Sequence, residues 1–287
     1  MGGGYESSRK RFTIDMRDLS VFTTSDGCRI AYRFDGSSDR PVLVLSNSIG
    51  TTLHMWDPQI QELSEHFRVL LFDTRGHGGS DIPPGAYSFD RLGRDVSELL
   101  DTLKINRVHF CGLSLGGIIG QWLAVHTPGR IDRLILCNTS SYVGPADQWN
   151  DRIASVLKAD PADTAEMFLH NWFPPALLEA DGSMVAKIRA MLLATNPQGF
   201  AGCSAAIRDM DMRTTIALIA CPTLVIAGQY DAVTLPSHSE LIAATFPGAK
   251  LVVLPVVHLS NLVRIARHFH EGGPGISTLT VSVTPTA

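Results

Sequence analysis

The most regular feature of the chain is a series of short, unbroken apolar runs. They are Val-Leu-Val-Leu at 42–45, Val-Leu-Leu-Phe at 69–72 and Val-His-Phe-Cys at 108–111, then Leu-Ile-Leu-Cys at 134–137, Leu-Val-Ile-Ala at 224–227 and Leu-Val-Val-Leu at 251–254. Each gives way to a turn-forming or small polar residue: Ser46, Asp73, Gly112, Asn138, Gly228 or Pro255. Continuous rather than alternating runs of this length predict strands buried on both faces, as in a parallel sheet covered by helices. Residues 21–24 and 28–34 flank Ser25-Asp26-Gly27, which predicts an antiparallel hairpin at the start.

Between the strands the spacing becomes helical. Leu92, Val96, Leu99, Leu100 and Leu103 recur at helical intervals behind a capping Ser88, predicting a helix over 89–103. Residues 118–126 predict a second, stopped by Thr127-Pro128-Gly129, and 238–246 a third. Alternation of strand and helix implies an α/β fold with a mostly parallel, doubly wound sheet. One interval breaks it. Residues 140–220 show no strand pattern, only helical stretches at 148–157, 164–172 and 183–195, punctuated by Pro161, Pro174, Pro175 and Pro197. The expected organisation is a core made of 19–139 and 221–271 with a helical cap, 140–220, inserted between two strands. A mobile leader is expected at 1–18. A Gly/Pro/Ser/Thr-rich tail at 272–287 is expected to be disordered.

Composition narrows the function classes. At 45% hydrophobic and 18% charged the chain has material for a large core. A net charge of -4 gives no electrostatic case for nucleic acid or an anionic membrane, so the expected partner is a small molecule, with homo-oligomerisation left open. No apolar run approaches the roughly 18 residues that a bilayer requires, and the N-terminal stretch has no apolar core of a secretory signal. The five cysteines, 28, 111, 137, 203 and 221, are odd in number and widely spaced, which reads as reduced thiols of a cytoplasmic protein.

The chemistry centres on Gly112-Leu113-Ser114-Leu115-Gly116. A G-x-S-x-G pentamer between an apolar strand and a helix is the setting of a nucleophile elbow, which exposes the serine at a strained turn. A serine hydroxyl needs a base, and the base a carboxylate to orient it, in the chain order Ser, acid, His. Asp231 follows the strand that ends at Gly228, and His258 follows the strand that ends at Leu254. Both fall at the C-terminal edge of a parallel sheet, where α/β sites are built. Ser114, Asp231 and His258 are therefore the expected triad. The Leu115 amide, at a helix N-terminus, and the Ser48 amide, in the loop after the third strand, are the expected oxyanion donors. His77, in Asp73-Thr74-Arg75-Gly76-His77-Gly78, is the prominent rival histidine; it precedes Ser114 and reads as a structural loop residue near the site. His268 and His270, an H-x-H pair without further ligands, make a poor metal site.

The segments Leu45-Ser46-Asn47-Ser48-Ile49-Gly50-Thr51, His54-Met55-Trp56-Asp57, Gly120-Gln121-Trp122-Leu123-Ala124 and Leu136-Cys137-Asn138-Thr139, taken with the motifs above, resemble the 3-oxoadipate enol-lactonases of the α/β-hydrolase superfamily. The resemblance runs from about residue 19 to 267 and takes in Thr223 to Asp231 and His258-Leu259-Ser260-Asn261. It implies the α/β-hydrolase fold and hydrolytic ring opening of the enol-lactone to 3-oxoadipate in bacterial protocatechuate and catechol catabolism. No metal or organic cofactor is implied. The substrate's carboxylate calls for a cation, for which the cap offers Arg152, Lys158, Arg189, Arg208 and Arg213. Arg152 and Trp149 are the expected substrate contacts. The same triad would also serve a generic carboxylesterase, a C–C hydrolase or a cofactor-free perhydrolase, or survive in a non-catalytic receptor.

Overall fold

The computed structural model describes residues 19–180, 182–246 and 248–258. The expected leader, tail and H-x-H pair lie outside them. Eight strands form one sheet: β1 (Ser20–Thr23), β2 (Arg29–Asp35), β3 (Val42–Ser46), β4 (Arg68–Phe72), β5 (Val108–Leu113), β6 (Ile131–Cys137), β7 (Thr223–Gly228) and β8 (Ala249–Leu254), in the order β1-β2-β4-β3-β5-β6-β7-β8. β2 pairs antiparallel with β1 and β4, and every other pairing is parallel. Most of the continuous apolar runs are the buried centre of this sheet: Leu43, Val44, Leu45, Val69, Leu70, Leu71, Phe110 and Val225 have no solvent exposure, whereas the run in β8, expected to be buried on both faces, is half-exposed because β8 is an edge strand.

The helices are α1 (Asp57–Leu63), α2 (Phe89–Thr102), α3 (Leu115–His126), α4 (Ala146–Val156), α5 (Pro161–Trp172), α6 (Pro175–Glu179), α7 (Ser183–Ala194), α8 (Pro197–Asp209) and α9 (Pro236–Thr245). Ser88 caps α2 as expected, its side chain accepting from the Arg91 amide. The face of α2 that bears Leu92, Val96, Leu99 and Leu100 is buried, each leucine contributing about 1.5–3 kcal/mol. Five helices, α4 to α8, occupy the interval between β6 and β7 where the spacing showed an insertion.

Sheet order creates the site. After β3 the chain turns to β4 on one side and returns to β5 on the other, leaving a crevice beyond the C-terminal ends of β3 and β5. The loop after β3 and the turn after β5 meet there: the Gly116 amide donates to the Asn47 carbonyl, 3.0 Å.

Candidate active site

Ser114 sits between β5 and α3 with φ 55° and ψ -115°. A positive φ is unfavourable for any residue with a Cβ, so the surroundings must impose it. The Ser114 amide donates to the Cys137 carbonyl (3.0 Å), and its own carbonyl accepts from the Gly117 amide (2.9 Å) and the Thr139 hydroxyl (2.7 Å). The two motif glycines allow the turn to close. A Cβ on Gly112 would run into the Gly116 carbonyl, and one on Gly116 into the Ser46 carbonyl.

Asp231 and His258 come together as the spacing implied. His258 Nδ1 lies 2.7 Å from Asp231 Oδ2, with both side chains fully buried. The same Oδ2 accepts from Asn138 Nδ2 (2.6 Å) and the Thr234 hydroxyl (2.7 Å), while Oδ1 accepts from the amides of Val233 (2.8 Å) and Thr234 (2.9 Å). Burial raises the carboxyl's pKa. The His258 imidazole, Thr234 and Asn138 outweigh that and hold Asp231 well below the usual carboxylate range. An ionised Asp231 fixes the proton of His258 on Nδ1. The other nitrogen, Nε2, is buried and has no hydrogen-bond partner among the described residues. The Ser114 hydroxyl does not bond it in this structure, and contacts of this kind tighten when substrate arrives.

Ser114 opens into a cavity of about 410 Å³, open space at its mouth included, shared between the core and the insertion. The insertion supplies Trp149, Arg152, Phe168 and Trp172 to its wall, and the core supplies Ile49 and Ile118. Trp172 stacks on the His258 ring with centroids 5.9 Å apart and planes 19° apart. Of the five insertion cations singled out from the sequence, Arg152 alone lines this cavity, and a sixth, Lys187, pairs with Asp57. Its guanidinium lies 4.7 Å from the Trp149 ring centroid, it has no carboxylate partner among the described residues, and burial lowers its pKa. Arg189, Arg208 and Arg213 are taken up by Glu166, Asp209 and Asp211, and Lys158 is exposed.

The loop after β3 differs in detail from expectation. The Ser48 amide is directed at the Met55 sulfur, 3.3 Å away, rather than into the cavity. The Gly50 amide donates to His77 Nε2 (2.9 Å) and the Thr51 amide to the Ser48 carbonyl (3.3 Å). The Ile49 amide, like that of Leu115, has no partner among the described residues. Side-chain types do not reveal which amide of a loop is free, so the sequence pointed one residue too early. Asn138 and Thr234, which complete the shell of Asp231, were also missed as functional residues. Asn138 stood within a segment that carried the resemblance but had no role there; Thr234 gave no signal.

Comparison with known proteins bears on this geometry. The family model described as alpha/beta hydrolase fold matches residues 41–264. 3-Oxoadipate enol-lactonase 2 of Acinetobacter baylyi is 38% identical over 239 residues, which cover 83% of this chain and 90% of that protein. A hydrolase from Pseudomonas aeruginosa PA01 superposes with a TM-score of 0.86 at 60% identity, covering 89% of this chain and 96% of that one. The enol-lactonase from Burkholderia xenovorans LB400 superposes with a TM-score of 0.82 at 39% identity, covering 84% and 94%. The chain belongs to the α/β-hydrolase fold family and, within it, to the 3-oxoadipate enol-lactonase family, whose members are ester-hydrolysing enzymes.

Proposed function

We propose that the protein opens the ring of 3-oxoadipate enol-lactone with water to give 3-oxoadipate, as a step of bacterial aromatic catabolism. The observation that carries the reading is one cavity lined by Ser114 and by a cation, Arg152, that has no carboxylate partner among the described residues, together with a buried Asp231–His258 pair whose Nε2 has no partner among them. His258 Nε2 takes the Ser114 proton as Oγ attacks the lactone carbonyl. The amides of Ile49 and Leu115 receive the oxyanion. The ring C–O bond breaks, and His258 returns the proton to the leaving enolate oxygen; the enol then tautomerises to the ketone. A water gives a proton to His258 and attacks the acyl-enzyme. Collapse expels Ser114, which recovers the proton, and leaves the new carboxylic acid, which ionises by releasing its proton to solvent. Arg152, with Trp149 beside it, meets the carboxylate that the substrate already carries.

The test offers the purified protein the enol-lactone and, separately, a neutral aryl ester, following loss of lactone absorbance and release of the phenol. The reading expects kcat/KM for the lactone to exceed that for the ester by at least a hundredfold. Turnover of the ester without the lactone would leave a generic esterase.

A further inference from the structure

His77 is a buried polar side chain to which the proposed chemistry assigns no role. It lies in the turn after β4, is 2% exposed, and touches no ionisable partner. Its two nitrogens have opposite tasks. Nδ1 lies 3.3 Å from the Arg75 carbonyl and must donate to it; Nε2 lies 2.9 Å from the Gly50 nitrogen and must accept from it. Only the neutral imidazole with its proton on Nδ1 satisfies both. Burial favours that form, lowering the pKa to about 4.

Gly50 belongs to the loop that presents the Ile49 amide. In a trans peptide the N–H points away from the C=O, so the Ile49 N–H direction is set by where the Ser48 carbonyl is held. That carbonyl accepts from the Thr51 hydroxyl, 2.7 Å. The next peptide is held through the Gly50 N–H by His77, and the Gly50 carbonyl accepts from the Thr195 hydroxyl of the insertion, 3.1 Å. Gly50 has φ +73°, and a Cβ there would press on Leu192 and Phe200. The turn after β4 grips the loop a second time, Asp73 Oδ1 accepting from the Leu53 amide at 2.7 Å. Without the His77 acceptor, the Gly50 N–H would be buried and unsatisfied, and the Ile49–Gly50 peptide would be free to rotate toward another acceptor.

We infer that His77 is a positioning residue for hydrolysis: through the Gly50 amide it fixes the loop whose Ile49 N–H receives the oxyanion. The inference rests on the serine-hydrolase reading of the site. Its signature is a loss confined to the transition state, because the ground-state carbonyl makes little use of the oxyanion donors.

The experiment compares the parent with His77→Phe, which keeps a planar ring without an acceptor, and His77→Gln, whose Oε1 reaches the place of Nε2. The readouts are kcat and KM for an aryl ester, affinity for a boronic-acid transition-state analogue, and affinity for the carboxylate product. H77F is expected to lose roughly ten- to a hundredfold in kcat with KM within about twofold. Its analogue affinity should fall in parallel and its product affinity stay unchanged, while H77Q recovers most of the rate. Parental kcat and analogue affinity in a folded H77F would overturn the inference. So would H77Q with a parental melting temperature and a kcat as low as that expected of H77F, and this comparison stands even if H77F does not fold. A parent protein that neither cleaves the ester nor reacts at Ser114 with a fluorophosphonate would overturn the hydrolase reading itself, which separates the two failures.

Discussion

A serine at φ 55° and a histidine nitrogen with no partner among the described residues each cost the folded state something, whereas the contacts that hold Asp231 below its ordinary pKa contribute stability at pH above the usual carboxylate range. Ser114→Ala and His258→Ala are each expected to remove nearly all turnover, and the double variant to lose little more than either alone, because the residues act as one unit; steady-state kinetics of the three proteins checks this. His77 supports a prediction about stability. Its folded pKa of about 4 lies below the unfolded value near 6.5, so the unfolded chain takes up the proton first. The contribution of His77 is therefore complete above pH 6.5 and is lost as pH falls toward 4, about 3 kcal/mol in all. Buried Asp73, pushed up to about 6, works in the opposite sense, losing its contribution as pH rises from about 4 through 6. Denaturant titrations at pH 7 and pH 4 should show His77→Gln gaining on the parent upon acidification; a constant difference would contradict this. At this scale the placement of Ser114, Asp231 and His258 was legible because each follows an apolar run at the sheet's C-terminal edge. The Ile49 amide was not, since the direction of an N–H depends on the whole loop.

At the scale of elements, each of the eight strands coincided with an apolar run or a hairpin arm; for the central strands this is because a strand buried on both faces leaves little room for polar side chains. Three helices were illegible: α1, α8 and the five-residue α6, which buries none of its residues. α1 buries Gln59 and Leu63 and is too short to show a period. α8 buries a row of small residues, Gly199, Ala201, Ser204, Ala205 and Ala206 among them, which carries almost no hydrophobic signal. The small residues have a purpose: Gly199 rests directly on Gly76, so α8 seats the insertion on the turn that contains His77. Close approach also governs the elbow. Gly116→Ala is expected to drive a Cβ into the Ser46 carbonyl and destabilise the protein by about 1–3 kcal/mol or more, with kcat falling as Ser114 and the β3 loop separate. Thermal unfolding and ester kinetics would check both, and an unchanged melting temperature would count against the packing described.

The molecule as a whole divides its labour between sheet and insertion. The sheet's loops bring Ser114, His258 and the amides of Ile49 and Leu115, whereas Trp149, Arg152, Phe168 and Trp172 come from the insertion. Specificity should therefore follow the insertion. Arg152→Gln is expected to lower kcat/KM for the carboxylate-bearing lactone roughly tenfold to a hundredfold, the worth of a charge-assisted hydrogen bond, and to leave a neutral aryl ester within about threefold. Equal losses on both substrates would assign Arg152 a structural role. The sequence marked five insertion cations but not which one faced the cavity, because that choice depends on how α4 packs against α5 and α8. The proposed chemistry has Ser114 open a lactone through a covalent intermediate. It is tested most directly by mass spectrometry of protein quenched milliseconds after mixing with the enol-lactone. A lactone's leaving group stays attached, so the account predicts a mass gain equal to the whole lactone, located on Ser114 and absent from Ser114→Ala. No adduct at any quench time, together with parental lactone turnover by Ser114→Ala, would contradict it.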